Sequence, residues 1–422
     1  MAAEVASGVR DHRGRPRVVI TGIGVKTPAG NTVEDLWAQL LRGEGAAGPI
    51  TLFDASQMPV QFATQVPEFD ATDYFSAKEV RRVDRFNLLG FAAAMDALAD
   101  AGEVGVDPAR CAVVGSTGVG GLGTISDQVI VLHEKGPARV SPFTVPMMMV
   151  NATAGDIAIR LGWTGPNICI ATACATGTHA LGEGARLIRD GSADVVLAGA
   201  GEAGITPIGL ASFARMGALS TRHDDPARAS RPYDADRDGF VLGEGAGYVV
   251  LEALDAARAR GAHIYGEVAG YGRNADAHHI TAPSPGGVGA AACMQLALDD
   301  AGLAPEAIGH VNGHGTSTPL NDSAEAAAVR KVFSTPPPIM SIKGVTGHLI
   351  AAAGAVEAVT AVLSIRDGVV APTANVEKIG DDIELDVVFG APREIGPKPV
   401  ISNSFGFGGH NASLVIAPVI TT

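Results

Sequence analysis

Short apolar runs alternate along this chain with longer stretches in which apolar residues recur at helical spacing. Arg17–Ile23, Ala112–Gly115, Ile168–Ala171, Val195–Ala198 and Gly247–Leu251 read as strands. Beyond residue 260 the pattern resumes with Glu267–Tyr271, His310–Asn312, Pro338–Ile342, Val400–Asn403 and Ala412–Ile416. Strands bounded by glycine and separated by helices predict an α/β chain with buried sheets.

The two stretches resemble each other internally. Cys174–Gly191 (CATGTHALGEGARLIRDG) aligns without a gap to Ala351–Gly368 (AAAGAVEAVTAVLSIRDG), sharing Gly177 with Gly354 and the closing I-R-D-G. Ala97–Gly102 (ALADAG) matches Ala297–Gly302 (ALDDAG), and Thr21–Gly24 (TGIG) matches Ala269–Gly272 (AGYG). The three pairs keep the same order in both stretches, which predicts two duplicated halves, residues 17–260 and 261–422. Independent Ala/Gly-rich helices are the competing explanation. Residues 1–16 read as a short mobile N-terminal tail, with no apolar core of a secretory signal.

Composition narrows the class. There are 54 glycines in 422 residues, well above the ~7% of an ordinary chain, and they have no fixed period. They suit tight strand-to-helix turns and close helix packing. The formal net charge of −14 argues against nucleic acid and against an anionic membrane as partners. Leu349–Ile365 is apolar but carries Glu357, so it reads as a buried helix and not a membrane span. Four cysteines without a C-x-x-C pair give neither a disulfide framework nor a zinc site. A cytoplasmic location is expected.

Chemistry concentrates at a few turns. Cys174 lies in ICIATACATGTHA, where a strand gives way to a small-residue helix. A helix N-terminus stabilises thiolate, so its pKa is expected to fall, and the free N–H groups suit an oxyanion. Cys111, Cys169 and Cys293 read as structural. His314, between Gly313 and Gly315, is expected on a flexible, uncrowded turn, with Thr316 and Thr318 pointing the same way if the segment is extended. His348 follows a strand and lies five residues after Lys343. Both histidines fall just past C-terminal strand ends, where α/β sheets place their sites. Phe405 and Phe407, in NSFGFGGHN, read either as a moving gate or as core rings in a glycine-rich turn.

Three lookalikes fail. Gly118, Gly120 and Gly123 form G-x-G-x-x-G without the acidic strand end that a dinucleotide site requires. Asp234, Asp236, Asp238 and Gly239 begin like a calcium loop, but Gly245 occupies its twelfth position. A cysteine protease leaves the second histidine and the lysine without a role.

Cys174 in TACATG, His314 in HGTSTP, Lys343 and His348 in SIKGVTGH, and the NSFGFGG run together resemble the β-ketoacyl-acyl carrier protein synthases of the Cys-His-His branch. That branch includes type II polyketide ketosynthases. The resemblance spans about Arg17 to Pro418. It implies the thiolase-like fold, an α/β body of five αβαβα layers built from two duplicated halves. It also implies decarboxylative condensation of an acyl-cysteine with malonyl-acyl carrier protein in fatty-acid elongation. The alternative is the ketosynthase subunit of a polyketide system, paired with a chain-length factor. A non-catalytic chain-length partner fits poorly, because such partners lack the nucleophile.

The resemblance further implies roles by position. Cys174 is the nucleophile, and the amides of Cys174 and Phe407 form an oxyanion hole. His314 and His348 stabilise the enolate, Lys343 supports them by charge, and Glu357 is a structural acid. Thr316 and Thr318 bind pantetheine, and Val119 floors the acyl pocket. Phe405 and Phe407 take the gate position. Lys78, Arg81 and Arg82, in a basic run that continues to Arg85, match carrier-protein docking positions or form a solvated helix face. Gly217 stands where many relatives carry a docking arginine. No cofactor or metal is expected, since substrates ride on the phosphopantetheine of acyl carrier protein. A homodimer, or a heterodimer with a homologous chain-length factor, would close the pocket near Ser141–Asn151. That methionine-bearing stretch reads either as adaptable surface or as core.

Overall fold

Val18–Lys26 is apolar and β-branched for most of its length and forms the first strand, β1, buried on both faces. The computed structural model describes residues 8–419. Four more strands of the first half are β2 (Cys111–Ser116), β3 (Asn167–Ile168), β4 (Val195–Glu202) and β5 (Gly245–Ala253). The second half supplies β6 (Gly266–Ala275), β7 (His310–Asn312), β8 (Ile339–Met340), β9 (Val400–Gly406) and β10 (His410–Ala417).

The strand order is β3-β2-β4-β5-β1 in one half and β8-β7-β9-β10-β6 in the other. Numbered within each half, both read 3-2-4-5-1. The directions also match. β2 runs parallel to β3 and β4, and β7 runs parallel to β8 and β9. The remaining pairs in each half are antiparallel. Among the described residues, strand pairing of Val19–Ile20 with Gly266–Glu267 joins the two sets.

Helices make the other layers. α1 (Arg85–Ala101) covers the outer face of the first sheet and α3 (Val288–Ala301) that of the second. α2 (Thr176–Arg189) and α5 (Ala353–Asp367) lie between the sheets. α5 is buried from Ala353 through Ile365, which explains its even apolarity and agrees with the expected buried helix. α4 (Pro319–Val332) lies in the outer layer beside α3. The body is therefore αβαβα in five layers. No helix among the described residues is long and apolar enough to cross a membrane.

The sequence repeats meet equivalent partners. A Cβ at Gly22 would lie 2.2 Å from the Ala97 carbonyl, and one at Gly270 would lie 2.2 Å from the Ala297 carbonyl. Gly24 and Gly272 face the carbonyls of Ala93 and Cys293 in the same way. Each half thus seats its first long helix directly on strand backbone. Between the sheets, Gly177 meets Ala351 and Ala355 while Gly354 meets Thr178, a reciprocal contact of the aligned glycines.

Two local expectations are corrected. Residues 8–16 are not a loose tail. Arg10 bridges to Pro16, Arg15 pairs with Asp300 at 2.8 Å, and His12 packs against Gly302. Residues 1–7 of the expected tail lie outside the described residues. The strand before Cys174 ends at Ile168 and not near Ala171, because its pairing with β2 stops at Val114–Ile168, and Thr172 and Ala173 then leave the extended conformation.

Gly22→Ala and Gly270→Ala should each lower stability by about 1–3 kcal/mol, since the added methyl meets helix backbone that has little room to move. Urea unfolding of the two variants checks this. Equal, large losses support matched packing, and a neutral result in either would contradict it.

Candidate active site

A 3-10 turn, Ala173–Ala175, places Cys174 at the mouth of α2. Ala173 takes a left-handed φ of 49°, and Thr172 N–H donates to Thr176 Oγ1 at 2.8 Å. The turn aims Cys174 Sγ into a cavity of about 430 Å³. His314, His348, Phe405, Phe407, Thr316, Thr318 and Val119 line the same cavity, so the expected residues from both halves converge. One ring nitrogen each of His314 and His348 and the cysteine sulfur all lie within 4.8 Å of one another.

His348 Nε2 is 3.0 Å from Cys174 Sγ. On the other side of the ring, Nδ1 accepts the Ile350 N–H at 3.2 Å. An acceptor at Nδ1 puts the proton of the neutral ring on Nε2, so His348 presents a donor to the cavity. A metal ion would need that Nε2 lone pair, so the triangle of donors suits a substrate oxygen better than a cation. Phe240 meets the His348 ring edge-on at 5.4 Å, and the His314 and His348 rings lie at 82° to each other.

His314 is not on a flexible turn. Glu325 on α4 accepts the His314 and Gly315 N–H groups, each at 2.7 Å, and Asp322 accepts the Thr316 N–H at 2.9 Å. The Tyr233 hydroxyl donates to Glu325 at 3.0 Å. The flanking glycines are needed because a Cβ at Gly313 would lie 2.1 Å from the Tyr233 oxygen. Thr316 and Thr318 do point together, with hydroxyls 2.9 Å apart. The sequence reading missed Tyr233, Asp322 and Glu325. Two acids three residues apart, opening the helix after HGTSTP, were the available signal.

Burial sets the charge states. It pushes both imidazoles well below their usual pKa, aided by the Lys343 charge, so both are neutral. It also pushes the Cys174 thiol up to about 11. The expectation of a depressed thiol is therefore corrected. Lys343 and the N–H groups of Phe407 and Cys174 do pull it down, but desolvation outweighs them. Those two N–H groups face the sulfur, which is the arrangement expected of an oxyanion hole. Lys343 and Glu357 form a fully buried ion pair behind the histidines, so the acid serves the lysine directly. Burial raises the Glu357 carboxyl, and the lysine opposes this.

Phe405 packs partly on the second-half core and 6.0 Å from His314. Phe407 is half-buried and belongs to none of the described core clusters. Gly408 and Gly409 after it have φ of 81° and 73°, where glycine is favoured. Gly408 N–H donates to the Ile280 carbonyl at 2.7 Å.

Lys78, Arg81 and Arg82 are exposed around a short helix, Ala77–Val80, and do not line the cavity. Arg82 lies over the Phe143 ring at 4.4 Å. Arg85 turns inward instead, pairing with buried Glu244 at 2.7 Å. Gly217 lines the cavity with a φ of 66°. The Ser141–Asn151 stretch is half-exposed or exposed, which excludes core packing for it.

The comparisons fit this geometry. Residues 15–257 match the family model described as beta-ketoacyl synthase, N-terminal domain, and residues 265–377 match its C-terminal domain. The chain is 46% identical to a 3-oxoacyl-[acyl-carrier-protein] synthase 2 of Synechocystis sp., covering 95% of this chain and 97% of that protein. It superposes on the ishigamide ketosynthase/chain length factor with a TM-score of 0.91 and 35% identity, covering 96% of this chain and 100% of that one. A type II polyketide ketosynthase, solved in complex with its acyl-carrier protein, gives a TM-score of 0.88 at 31% identity with the same coverage. With both domain models matched in order and a near-full-length relative at this identity, the chain belongs to the beta-ketoacyl synthase family.

Proposed function

We propose that the protein condenses an acyl group held on Cys174 with malonyl-acyl carrier protein, releasing CO₂ and giving 3-oxoacyl-acyl carrier protein. The observation that carries this reading is the meeting of one sulfur, two neutral imidazoles and two amide N–H groups around one cavity. In the first step the sulfur attacks the acyl thioester. The oxyanion is held by the N–H groups of Cys174 and Phe407, and the departing pantetheine sulfur takes up the thiol proton. In the second, the malonyl C–CO₂⁻ bond breaks and its electron pair forms an enolate. The enolate oxygen accepts from His348 Nε2–H and from His314. The enolate carbon then attacks the acyl-cysteine, and Cys174 sulfur leaves.

Donors in a site shielded from solvent act most strongly where charge develops, and a neutral imidazole N–H donates to the enolate oxygen as it becomes negative. Buried Lys343 supports the enolate by charge from behind. The Thr316 and Thr318 hydroxyls suit the amides of a pantetheine arm, Val119 the end of an acyl chain, and exposed Lys78, Arg81 and Arg82 an acidic carrier protein. No cofactor enters these steps.

Fatty-acid elongation is the favoured pathway, because the relative of that naming is 46% identical against 31–35% for the polyketide structures. The polyketide reading is supported by the fit to the type II polyketide ketosynthase. The protein acts as a dimer with a second copy or a homologue. Edge strand β3 and the exposed apolar residues Val145, Met149, Val150, Ile159 and Ile168 form the face that such a partner would cover. Product analysis of the purified protein with acyl and malonyl carrier proteins tests the function. Absence of any 3-oxoacyl product refutes it.

Three outcomes are expected of the site. A thiol with a raised pKa gains thiolate tenfold per pH unit until about 11. Iodoacetamide labelling of Cys174, followed peptide by peptide, should therefore climb through pH 8–10. Half-buried Cys169 is its main competitor, and Cys111 and Cys293 should be protected. A plateau by pH 7 would mean a depressed thiol instead.

His314→Ala and His348→Ala should still load acyl groups on Cys174, but lose about 10²–10³-fold in malonyl decarboxylation. Normal decarboxylation in both would leave the histidines without this role.

Phe407 acts as a gate that an acyl chain displaces. Phe407→Ala should slow condensation yet keep or raise decarboxylation without a primer, with little change in melting temperature. A large drop in melting, with every activity reduced alike, would make the ring a packing residue.

A further inference from the structure

Glu202 ends β4, an otherwise apolar strand, and is completely buried. The reaction above gives it no part. Its carboxylate is nevertheless well occupied. Oε1 accepts the Thr117 hydroxyl at 3.0 Å and Oε2 accepts the Gly118 N–H at 2.9 Å. The N–H groups of Val119 and Ala351 face it as well. It therefore gathers donors from two segments that are far apart in sequence and adjacent at the cavity.

Each segment belongs to the site. Gly118 and Val119 form cavity wall, and Ile350 lines the cavity beside them. Gly118 is wedged between the two sides. A Cβ there would lie 2.7 Å from Glu202 Oε2 and 3.5 Å from both Ile350 Cγ2 and Ala351 Cβ. Ile350 has a φ of 48°, a left-handed conformation that is costly for a β-branched residue and persists only when its surroundings hold it. The N–H of this strained residue is the donor that fixes the His348 tautomer.

We propose that Glu202 is a positioning residue, whose carboxylate ties the Gly118–Val119 wall to the Ile350–Ala351 turn and thereby keeps the His348 proton on Nε2. If the tie is lost, the turn relaxes toward a right-handed φ, the Ile350 N–H leaves Nδ1, and the ring is free to take the other tautomer. An acyl chain pressing on the wall at Val119 then bears on the same carboxylate that holds the decarboxylating histidine. The proposal rests on His348 acting as an Nε2–H donor, as in the proposed function.

The carboxylate also has an effect of opposite sign on the nucleophile. Its negative charge is one of the influences that raise the Cys174 thiol. Glu202→Gln keeps the shape but turns an NH₂ group toward amide donors, and it removes the charge. Three results are expected from the purified full-length variant. Malonyl decarboxylation and condensation fall about tenfold or more, the scale of one lost hydrogen bond to a charged acceptor. Acyl loading stays within about threefold, and iodoacetamide labelling of Cys174 at pH 8 becomes faster. In ¹⁵N-histidine spectra the His348 signal, assigned by its loss in His348→Ala, moves from the Nε2–H form of the wild type to a mixture of tautomers.

An unchanged tautomer with normal decarboxylation overturns the proposal, as does a parallel loss of loading and decarboxylation with a lower melting temperature. If Glu202→Gln does not fold, Thr117→Val, which lies outside the cavity lining, removes the hydroxyl that Oε1 accepts. It must then show the same split between loading and decarboxylation, and a parallel loss there also overturns the proposal. The wild-type controls separate the two levels of the argument. A wild type that does not decarboxylate malonyl-carrier protein refutes the proposed function, while a wild-type His348 bearing its proton on Nδ1 refutes the positioning role alone.

Discussion

The close approach of α2 and α5 is the constraint on which the site depends. Gly177 faces the Ala351 carbonyl and the Ala355 nitrogen, and Gly354 faces Thr178, so any side chain at either glycine would drive the helices apart. Because these helices follow Cys174 and His348 directly, their separation sets the 3.0 Å between sulfur and imidazole. The duplication explains why the contact is reciprocal. Each half brings the same strand-to-helix turn to the middle layer, and the two turns meet face to face.

That geometry buries ionisable groups. Desolvation keeps the imidazoles neutral and raises the thiol, and it raises the carboxyls of Glu202, Asp322 and Glu357. Such burial is tolerated because the carboxylates are partnered. Glu325 and Asp322 take the backbone donors of the His314 loop, Glu202 those of the cavity wall, and Glu357 takes the Lys343 ammonium. The acids thus form a scaffold around a site whose lining offers mainly donors and apolar surface. In the proposed reaction, negative charge develops on substrate oxygen in both steps, where those donors converge.

Much of this was legible in the chain itself. Alternating strands and helices gave the α/β class, because buried strands of β-branched and small residues look different from helical spacing. Three ordered repeats gave the duplication, since equal packing problems keep equal residues: Gly22 with Ala97, Gly270 with Ala297. Spacing around Cys174, His314, Lys343 and His348 marked candidates, because several reactive residues among small residues just past strand ends are hard to dismiss as structural.

Tertiary structure decided the rest. Local sequence puts Cys174 at a helix mouth and argues for a depressed thiol. Only the fold shows that the mouth is buried and that desolvation wins. Flanking glycines suggest a loose His314, whereas they admit the Tyr233 ring and the loop is pinned by Glu325. The basic run at Lys78 reads as one patch, yet Arg85 points inward to Glu244. Glu202 carries no local signal beyond an acid at the end of an apolar strand. Desolvation and ties such as Thr117 to Glu202 depend on residues far apart in the chain, so no window of sequence contains them.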